Sequence, residues 1–177
     1  MVHIRKMIPE DRGLVYEMLM QTDMFTMAEV NVAVELIDIY LFNKDQQDYD
    51  VCVAEFNEQV IGYVCFGPTP ATEATFDLYW IVVSPEMQNK GVGSQLLKFV
   101  EKEVMRQKGK LLIIETSSQH KYIPTQHFYK SKSYKLEARI KDFYRTGDDR
   151  LIFVKRFNNL VHGESKKNGT LEEAVAK

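Results

Sequence analysis

Two glycines separated by one residue stand where a strand-like segment gives way to a helix-like segment. The stretch from Gln88 to Ser94 reads Gln-Asn-Lys-Gly-Val-Gly-Ser, in which the glycines are Gly91 and Gly93. Glycine lets a backbone approach a ligand closely, and the unpaired N–H groups of a first helical turn attract anions. The spacing therefore predicts a phosphate-binding turn. The alternative is that both glycines serve only a tight connection between the two elements.

The two common nucleotide-binding signatures do not fit this turn. A dinucleotide-binding turn needs a third glycine, but Leu96 occupies that position. A Walker loop needs lysine and then serine or threonine after its last glycine, and here Ser94 and Gln95 follow Gly93. A nucleotide-binding protein of either kind is thus the least favoured function.

The elements on either side of the glycines have clear patterns. Leu78 to Val83 is apolar, aromatic and β-branched, which predicts a buried strand, and Pro85 ends that strand. Leu111 to Glu115 predicts a second strand, and a crossover of this length makes the two strands parallel. Between them an amphipathic helix is predicted by apolar residues at helical spacing, namely Val92, Leu96, Leu97, Val100 and Val104.

The turn also resembles a family signature. Gln88-Asn89-Lys90-Gly91-Val92-Gly93 is similar to the Gln/Arg-x-x-Gly-x-Gly/Ala motif of the GNAT superfamily of acetyl-CoA-dependent N-acetyltransferases, with Val-Ser-Pro before it and Leu-Leu after it. Phe128-Tyr129 lies downstream, where the family carries a tyrosine that assists departure of the thiolate. The resemblance covers roughly Val2 to Phe157. It implies an α/β (α+β) fold with a mixed, mostly antiparallel sheet, helices on both faces, and a splayed parallel strand pair at the cofactor site.

The resemblance implies acetyl-CoA as cosubstrate and transfer of its acetyl group to a primary amine. The acceptor would be a small molecule, an amino acid or a peptide, which attacks directly in a ternary complex. The implied cofactor contacts are Ile81, Val82, Val83, Gln88, Asn89, Lys90, Gly91, Val92, Gly93 and Ser94, with no metal. The alternative is a non-catalytic module that binds acyl-CoA as a sensor or structural element.

Acetylation of an amine needs a proton acceptor and, for the leaving thiolate, a proton donor. A lysine-like amine has a pKa of about 10.4 and is almost entirely protonated at neutral pH. Asp77 stands where related enzymes often carry a glutamate base, acting directly or through water, and Glu115 is the reserve candidate. Tyr129 is the predicted acid. The alternatives are a solvent-exposed acid at a strand end for Asp77 and a packed helix aromatic for Tyr129.

Two positions depart from the family pattern, and two histidines lie near them. Tyr122 stands where the family often has a small residue or asparagine, and Ser133-Tyr134 replaces the usual Gly-Phe. Tyr122 therefore weakens the case for a side-chain contact with pantetheine there. His120 and His127 are expected to face solvent, because no cysteine or carboxylate has metal-ligand spacing with them.

Composition and charge limit the other possibilities. The chain has 177 residues with 45% hydrophobic content, which predicts one domain over 1–157 followed by a polar tail, 158–177, that is disordered or partner-bound. The net charge of −2 and the interspersed signs argue against nucleic-acid or membrane partners. A cytoplasmic protein is expected. The oligomeric state stays open, although many relatives pair as homodimers.

Periodicity predicts the remaining elements. They are a strand His3 to Met7, a helix with the stripe Leu14, Val15, Met18 and Leu19, a helix after Thr26 with the stripe Ala28, Val32, Leu36 and Tyr40, a hairpin Tyr49 to Phe56 and Val60 to Phe66, a helix Tyr122 to Lys132, and a final pair Leu136 to Tyr144 and Arg150 to Phe157. The turn of that final pair is placed at Thr146 to Asp149. Its aspartates, with Asp77 and Asp142, either give the acceptor mouth an acidic rim or serve only the turn. Methionine and aromatic residues between the first two helices either line an acceptor pocket or pack in the core.

Overall fold

A computed structural model describes residues 1–157, so the prediction for 158–177 lies outside the described residues. A seven-stranded sheet has the order β1-β2-β3-β4-β5-β7-β6. Its strands are β1 (His3–Lys6), β2 (Asp50–Phe56), β3 (Gln59–Pro68), β4 (Thr75–Val83), β5 (Leu111–Ser117), β6 (Lys135–Arg145) and β7 (Asp148–Arg156). The helices are α1 (Asp11–Gln21), α2 (Met27–Phe42), α3 (Val92–Arg106) and α4 (Ile123–Ser131), with 3₁₀ turns at Pro85–Met87 and His120–Tyr122. The predicted fold class is confirmed.

The strands β4 and β5 are the parallel pair of this otherwise antiparallel sheet. Their ladder runs from Thr75 opposite Leu111 to Leu78 opposite Ile114 and then stops. Both strands continue past that point, β4 to Val83 and β5 to Ser117. The two strands therefore separate at their carboxyl ends and leave a gap in the sheet, as predicted.

A β-bulge lies at the point where β4 leaves β5. On the other side of β4, Phe66 pairs with Leu78 and Cys65 pairs with Trp80, which makes Tyr79 the extra residue. Leu78 packs in the core beneath α3, whereas Trp80 packs in the core beneath α1 and α2. Without the bulge these two side chains would share one face, because side chains alternate along a strand. The bulge thus exchanges the two faces within β4.

Helix α3 has the predicted stripe, whereas α2 does not. All five predicted apolar residues of α3 are buried. In α2 the buried residues are Val30, Ala33 and Ile37, and the predicted Ala28 and Val32 are exposed. Apolar residues surround α2 almost completely, so their spacing does not select a face. No helix within residues 1–157 has both the length and the apolar character needed to cross a membrane.

The final hairpin turns earlier than predicted. Thr146 and Gly147, the latter with φ of 79°, connect β6 to β7, and Asp148 and Asp149 are the first residues of β7. Both aspartates are buried. Asp149 accepts a hydrogen bond of 2.9 Å from the N–H of Asp142 and forms an ion pair with Arg139. Both contacts lower the pKa of Asp149, and the hydrogen bond from Asp142 has the larger effect. Asp149 therefore does not belong to an acidic rim.

Cys52 and Cys65 are buried free thiols. Burial raises the pKa of Cys52 to about 12 and raises that of Cys65 further. Both thiols therefore stay protonated near neutral pH and pack as small apolar groups.

Candidate active site

A cavity of about 1020 Å³ lies where β4 and β5 separate. Its walls come from the carboxyl ends of these two strands, the glycine turn before α3, the helix α4, the connection between α1 and α2, and the final hairpin. The sheet gap thus joins segments that are distant in sequence.

The glycine turn leaves backbone donors free at the start of α3. Gly91 precedes the helix with φ of 84°, and the first N–H bonded back along the chain is that of Gln95, which donates to the Gly91 carbonyl at 3.1 Å. The N–H groups of Val92, Gly93 and Ser94 have no backbone acceptor among the described residues. Aligned with the helix dipole, they form an anion-binding site at one end of the cavity.

A side chain would have different consequences at the two glycines. Gly91 needs a left-handed conformation that other residues adopt at a cost. A Cβ at Gly93 would lie 3.6 Å from the ring of Phe128 and 3.7 Å from a methyl group of Val83, both ordinary contacts. Gly93 therefore preserves space in the cavity, while Gly91 permits the turn itself.

Most of the predicted cofactor-binding residues line this cavity. The wall includes Ile81, Val82, Val83, Gln88, Asn89, Gly91, Gly93 and Ser94. Lys90 is exposed and Val92 is buried in the core, and neither side chain contributes to the wall. Past Leu78 the edge of β4 that faces the cavity has no partner strand, so an amide-containing ligand can hydrogen-bond there.

Tyr129 lies in the cavity wall and is 4% exposed. Its ring packs against those of Phe128, Tyr134 and Phe153, with centroid distances of 5.5, 6.0 and 6.0 Å. Burial raises the pKa of the phenol above its ordinary value. The hydroxyl has no hydrogen-bond partner in the described part of the chain and stays protonated at neutral pH, so it can donate to a ligand.

The two candidate bases occupy different surroundings. Asp77 lies within β4, where its carboxylate accepts a hydrogen bond of 2.6 Å from Thr69 Oγ1, and it does not line the cavity. Glu115 does line the cavity, and it forms an ion pair with Arg150 of β7. The reserve candidate from the sequence is therefore closer to the gap than the first candidate.

Glu115 and Tyr129 approach the gap from opposite faces of the sheet. Leu112 and Ile114 of β5 are buried in the core that includes Tyr129 of α4. Glu115 follows Ile114 in the strand and therefore points to the other face, on the side of α1 and α2. A group between the two strands would have the carboxylate on one side and the phenol on the other.

The opposite end of the cavity contains residues that the sequence analysis either did not identify or identified only as members of a larger group. Met24 and Phe25 belong to the connection between α1 and α2, and the Phe25 ring lies edge-on to Trp80 of β4 at 5.1 Å. Glu29 of α2 and Asp148 also line this end. The excess of methionine and aromatic residues was the available signal, but Met18 of the same group is in the core and Met20 and Met27 are exposed.

The charges of this end are of both signs. Carboxylates come from Glu29, Glu115 and Asp148, and cations come from Lys121 and Arg145. Asp148 accepts hydrogen bonds from Ser117 Oγ at 2.5 Å and from the side-chain amide of Gln119. Both histidines near this region, His120 and His127, are exposed. Across residues 1–157 no cluster of histidine, cysteine and carboxylate side chains could hold a metal ion.

Comparisons with known proteins agree with this fold. Residues 47–136 match the family model described as the acetyltransferase (GNAT) domain. A crystal structure of a protein assigned to the GNAT family, from Desulfovibrio desulfuricans, is 41% identical to this chain with a TM-score of 0.84, and the match covers 88% of this chain and 99% of that one. A search of curated proteins gave no match.

Two more distant structures share the fold. The ribosomal-protein-S18-alanine N-acetyltransferase of Escherichia coli has 16% identity and a TM-score of 0.70, over 97% of this chain and 100% of that one. An aminoglycoside 6'-N-acetyltransferase complexed with coenzyme A has 14% identity and a TM-score of 0.68, over 87% and 96% of the two chains. At these identities the likeness shows the fold alone.

Proposed function

The chain belongs to the GNAT family of acetyltransferases, and from this premise we propose that it transfers the acetyl group of acetyl-CoA to a primary amine. The acceptor is an amine of a small molecule, an amino acid or a peptide, and it attacks directly in a ternary complex. The observation that carries the proposal is the cavity between β4 and β5, which has free backbone donors at one end and a buried phenol in its wall.

The glycine turn and the open edge of β4 fit the two polar parts of the cosubstrate. The free N–H groups of Val92, Gly93 and Ser94 would hold the pyrophosphate, since they combine unpaired donors with the positive end of α3. The edge of β4 past Leu78 would pair with the amides of the pantetheine arm. The thioester supplies an activated acetyl group.

Glu115 is our proposed base. Its position on the α1 and α2 side of the gap is where an amine would approach a thioester that enters from the side of the glycine turn. Arg150 of β7 pairs with the carboxylate and holds it in the cavity wall, where it could accept a proton through a water molecule. Asp77 remains a prediction from the resemblance, and its place outside the cavity wall gives it less support.

Tyr129 is our proposed acid, and the backbone of β4 our proposed oxyanion stabiliser. The coenzyme departs as a thiolate, and the phenol, which is neutral at about pH 7, can hydrogen-bond to that sulfur and pass it a proton as the C–S bond breaks; the phenolate then regains a proton from solvent. Backbone N–H groups around Ile81 to Val83 would stabilise charge that develops on the carbonyl oxygen, because fixed donors need no reorganisation during the reaction.

Binding and turnover test the proposal separately. Thermal unfolding is measured with acetyl-CoA, free coenzyme A, ATP and NAD, because a ligand at a hundred times its Kd stabilises the folded form by about 2.7 kcal/mol. Release of the coenzyme thiol is then followed with a library of amines. We expect stabilisation by the two coenzyme forms and thiol release that depends on an amine. Stronger stabilisation by ATP or NAD would contradict the proposal, and binding without transfer to any amine would favour the sensor alternative.

A further inference from the structure

One carbonyl of the connection between α1 and α2 is held from across the cavity. Met24 O accepts hydrogen bonds from Lys121 Nζ at 2.6 Å and from the Tyr122 hydroxyl at 3.0 Å. The two donors are consecutive residues of the 3₁₀ turn that precedes α4. Among residues 1–157, no other hydrogen bond joins 22–26 to a distant part of the chain. We call this pair of hydrogen bonds the latch.

The latch holds a segment that forms one wall of the cavity. Thr22, Met24, Phe25, Thr26 and Glu29 all line the cavity, and they lie on either side of the held carbonyl. The Phe25 ring contacts Trp80, and Thr26 begins α2 by exchanging hydrogen bonds with Glu29 in a capping box. Movement of the connection would therefore move an aromatic ring and a carboxylate together.

The chemistry of the latch suits a fixed geometry. Tyr122 is half-buried, and burial raises the pKa of its phenol to about 12, so the hydroxyl stays a donor at any physiological pH. The Lys121 ammonium also lies 5.3 Å from the centre of the Tyr122 ring, which holds the two donors side by side. Hydrogen bonds with a charged partner are stronger than neutral ones, so Lys121 adds to the contribution of Tyr122.

We propose that Tyr122 and Lys121 position the connection between α1 and α2 as the wall of the acceptor site, and that they thereby determine which amines the enzyme accepts. This inference rests on the proposed function, because it assigns the acceptor to the end of the cavity opposite the glycine turn. It also gives a role to Tyr122, which departs from the small residue or asparagine of the family pattern.

The size of the effect follows from the population of the latched form. An acceptor that contacts this wall and binds only the latched form has its affinity reduced in proportion to the fraction of molecules in that form, whereas an acceptor that does not contact the wall is unaffected, so the ratios between amines change. A neutral hydrogen bond corresponds to a factor of about five in an equilibrium, so Tyr122→Phe can raise the acceptor KM by up to about fivefold. Combining Tyr122→Phe with Lys121→Met removes both donors and should raise the acceptor KM by about tenfold or more.

The test compares three amines of different charge, ring content and size. They are 1,4-diaminobutane, phenylalanine amide and the peptide amide Ala-Ala-Tyr, each assayed by coenzyme thiol release with wild type, the two single variants and the double variant. Tyr16→Phe is the matched control, because Tyr16 is exposed on α1 and outside the cavity wall. We expect altered ratios of kcat/KM among the amines in the latch variants, with the KM for acetyl-CoA within twofold of wild type. A uniform loss for all three amines would overturn the role in selectivity.

Hydrogen exchange provides a test that needs no acceptor. Amides of residues 22–26 should exchange several-fold faster in Tyr122→Phe than in wild type or Tyr16→Phe. Equal exchange in all three proteins would overturn the latch itself. If wild type binds acetyl-CoA but acetylates no amine of the library, the proposed function fails, and the exchange measurement still decides whether the latch exists.

Discussion

Replacing Tyr129 by phenylalanine should separate cosubstrate binding from turnover. The change removes one hydroxyl that lines the cavity and has no described hydrogen-bond partner, and it keeps the ring that packs against Phe128, Tyr134 and Phe153. With no hydrogen bond lost, the free energy of unfolding should stay within about 0.5 kcal/mol of wild type. The Kd for acetyl-CoA should also be preserved.

The expected loss in rate follows from the role of the phenol. Loss of a general acid typically costs a factor of about 10² to 10⁴. A thiolate with a pKa near 8.5 leaves fairly well without help, so we expect the lower end, about a hundredfold, equivalent to about 2.7 kcal/mol in the activation barrier. Because burial raises the pKa of Tyr129, its deprotonation should cause no loss of wild-type kcat below about pH 10.

Tyr134→Phe is the matched control for this variant. Tyr134 is 3% exposed, its ring lies beside that of Tyr129, and its hydroxyl donates to Glu101 at 3.1 Å rather than lining the cavity. Loss of the hydrogen bond from the Tyr134 hydroxyl should lower the free energy of unfolding by about 1 to 2 kcal/mol and leave kcat unchanged. The two variants should therefore show opposite patterns in stability and rate.

Steady-state kinetics and denaturant unfolding of both variants decide the matter. The assay follows coenzyme thiol release at saturating acetyl-CoA over a range of pH. A kcat for Tyr129→Phe within twofold of wild type would refute the acid role and leave Tyr129 as a packing residue. Equal rate losses in the two variants would refute it as well, because the loss would then come from packing.

Three further changes test other parts of the site and the fold. Gly93→Leu should fill part of the cavity beside the glycine turn and weaken acetyl-CoA binding by tenfold or more in calorimetry. Gly93→Ala should bind nearly normally, because a Cβ there meets only ordinary contacts. Equal affinities of the two variants would show that the turn does not belong to the cosubstrate site. Glu115→Gln should lower kcat/KM at neutral pH about a hundredfold, and the difference from wild type should become smaller at high pH, where more of the amine is neutral. A difference from wild type that does not change with pH would exclude the base role. Asp11→Asn should cost about 2 kcal/mol of unfolding free energy, since Asp11 is buried and bonded to Arg5 at 2.6 and 2.9 Å. Burial opposes ionisation of Asp11, but the hydrogen bonds from Arg5 and from the N–H of Ile8 together outweigh it and lower its pKa. The stability that Asp11 contributes is therefore present above about pH 4 and is lost as the pH falls through the lowered pKa, and a wild-type advantage that does not shrink as the pH falls below about 4 would contradict this.

The sequence predicted those parts of the fold in which polar and apolar residues are clearly separated. Helix α3 has charged residues on one side and its apolar stripe on the other, so periodicity identified the buried face. Helix α2 lacks that contrast, and packing against the sheet rather than periodicity decides that Val30, Ala33 and Ile37 are buried. The glycine turn was predictable because its function requires particular residues at fixed spacing. The latch was not, because Met24 contributes only a carbonyl, which every residue has.

Irregular strand pairing explains why the sequence did not predict the side-chain faces of β4 or the position of the aspartates in β7. Predictions that alternate residues between two faces fail at a bulge, and Tyr79 exchanges the faces of β4 at the point where the cavity begins. In β6 the pairing shifts between Ile140 and Arg145, where Asp142 has φ of 52° and its N–H binds Asp149. That shift places the aspartates inside β7 rather than in the turn. Both irregularities border the cavity, because Tyr79 lies at the first and Tyr144 and Arg145 lie at the second, and all three line the cavity wall. Strand periodicity therefore fails at the same places where the site is formed.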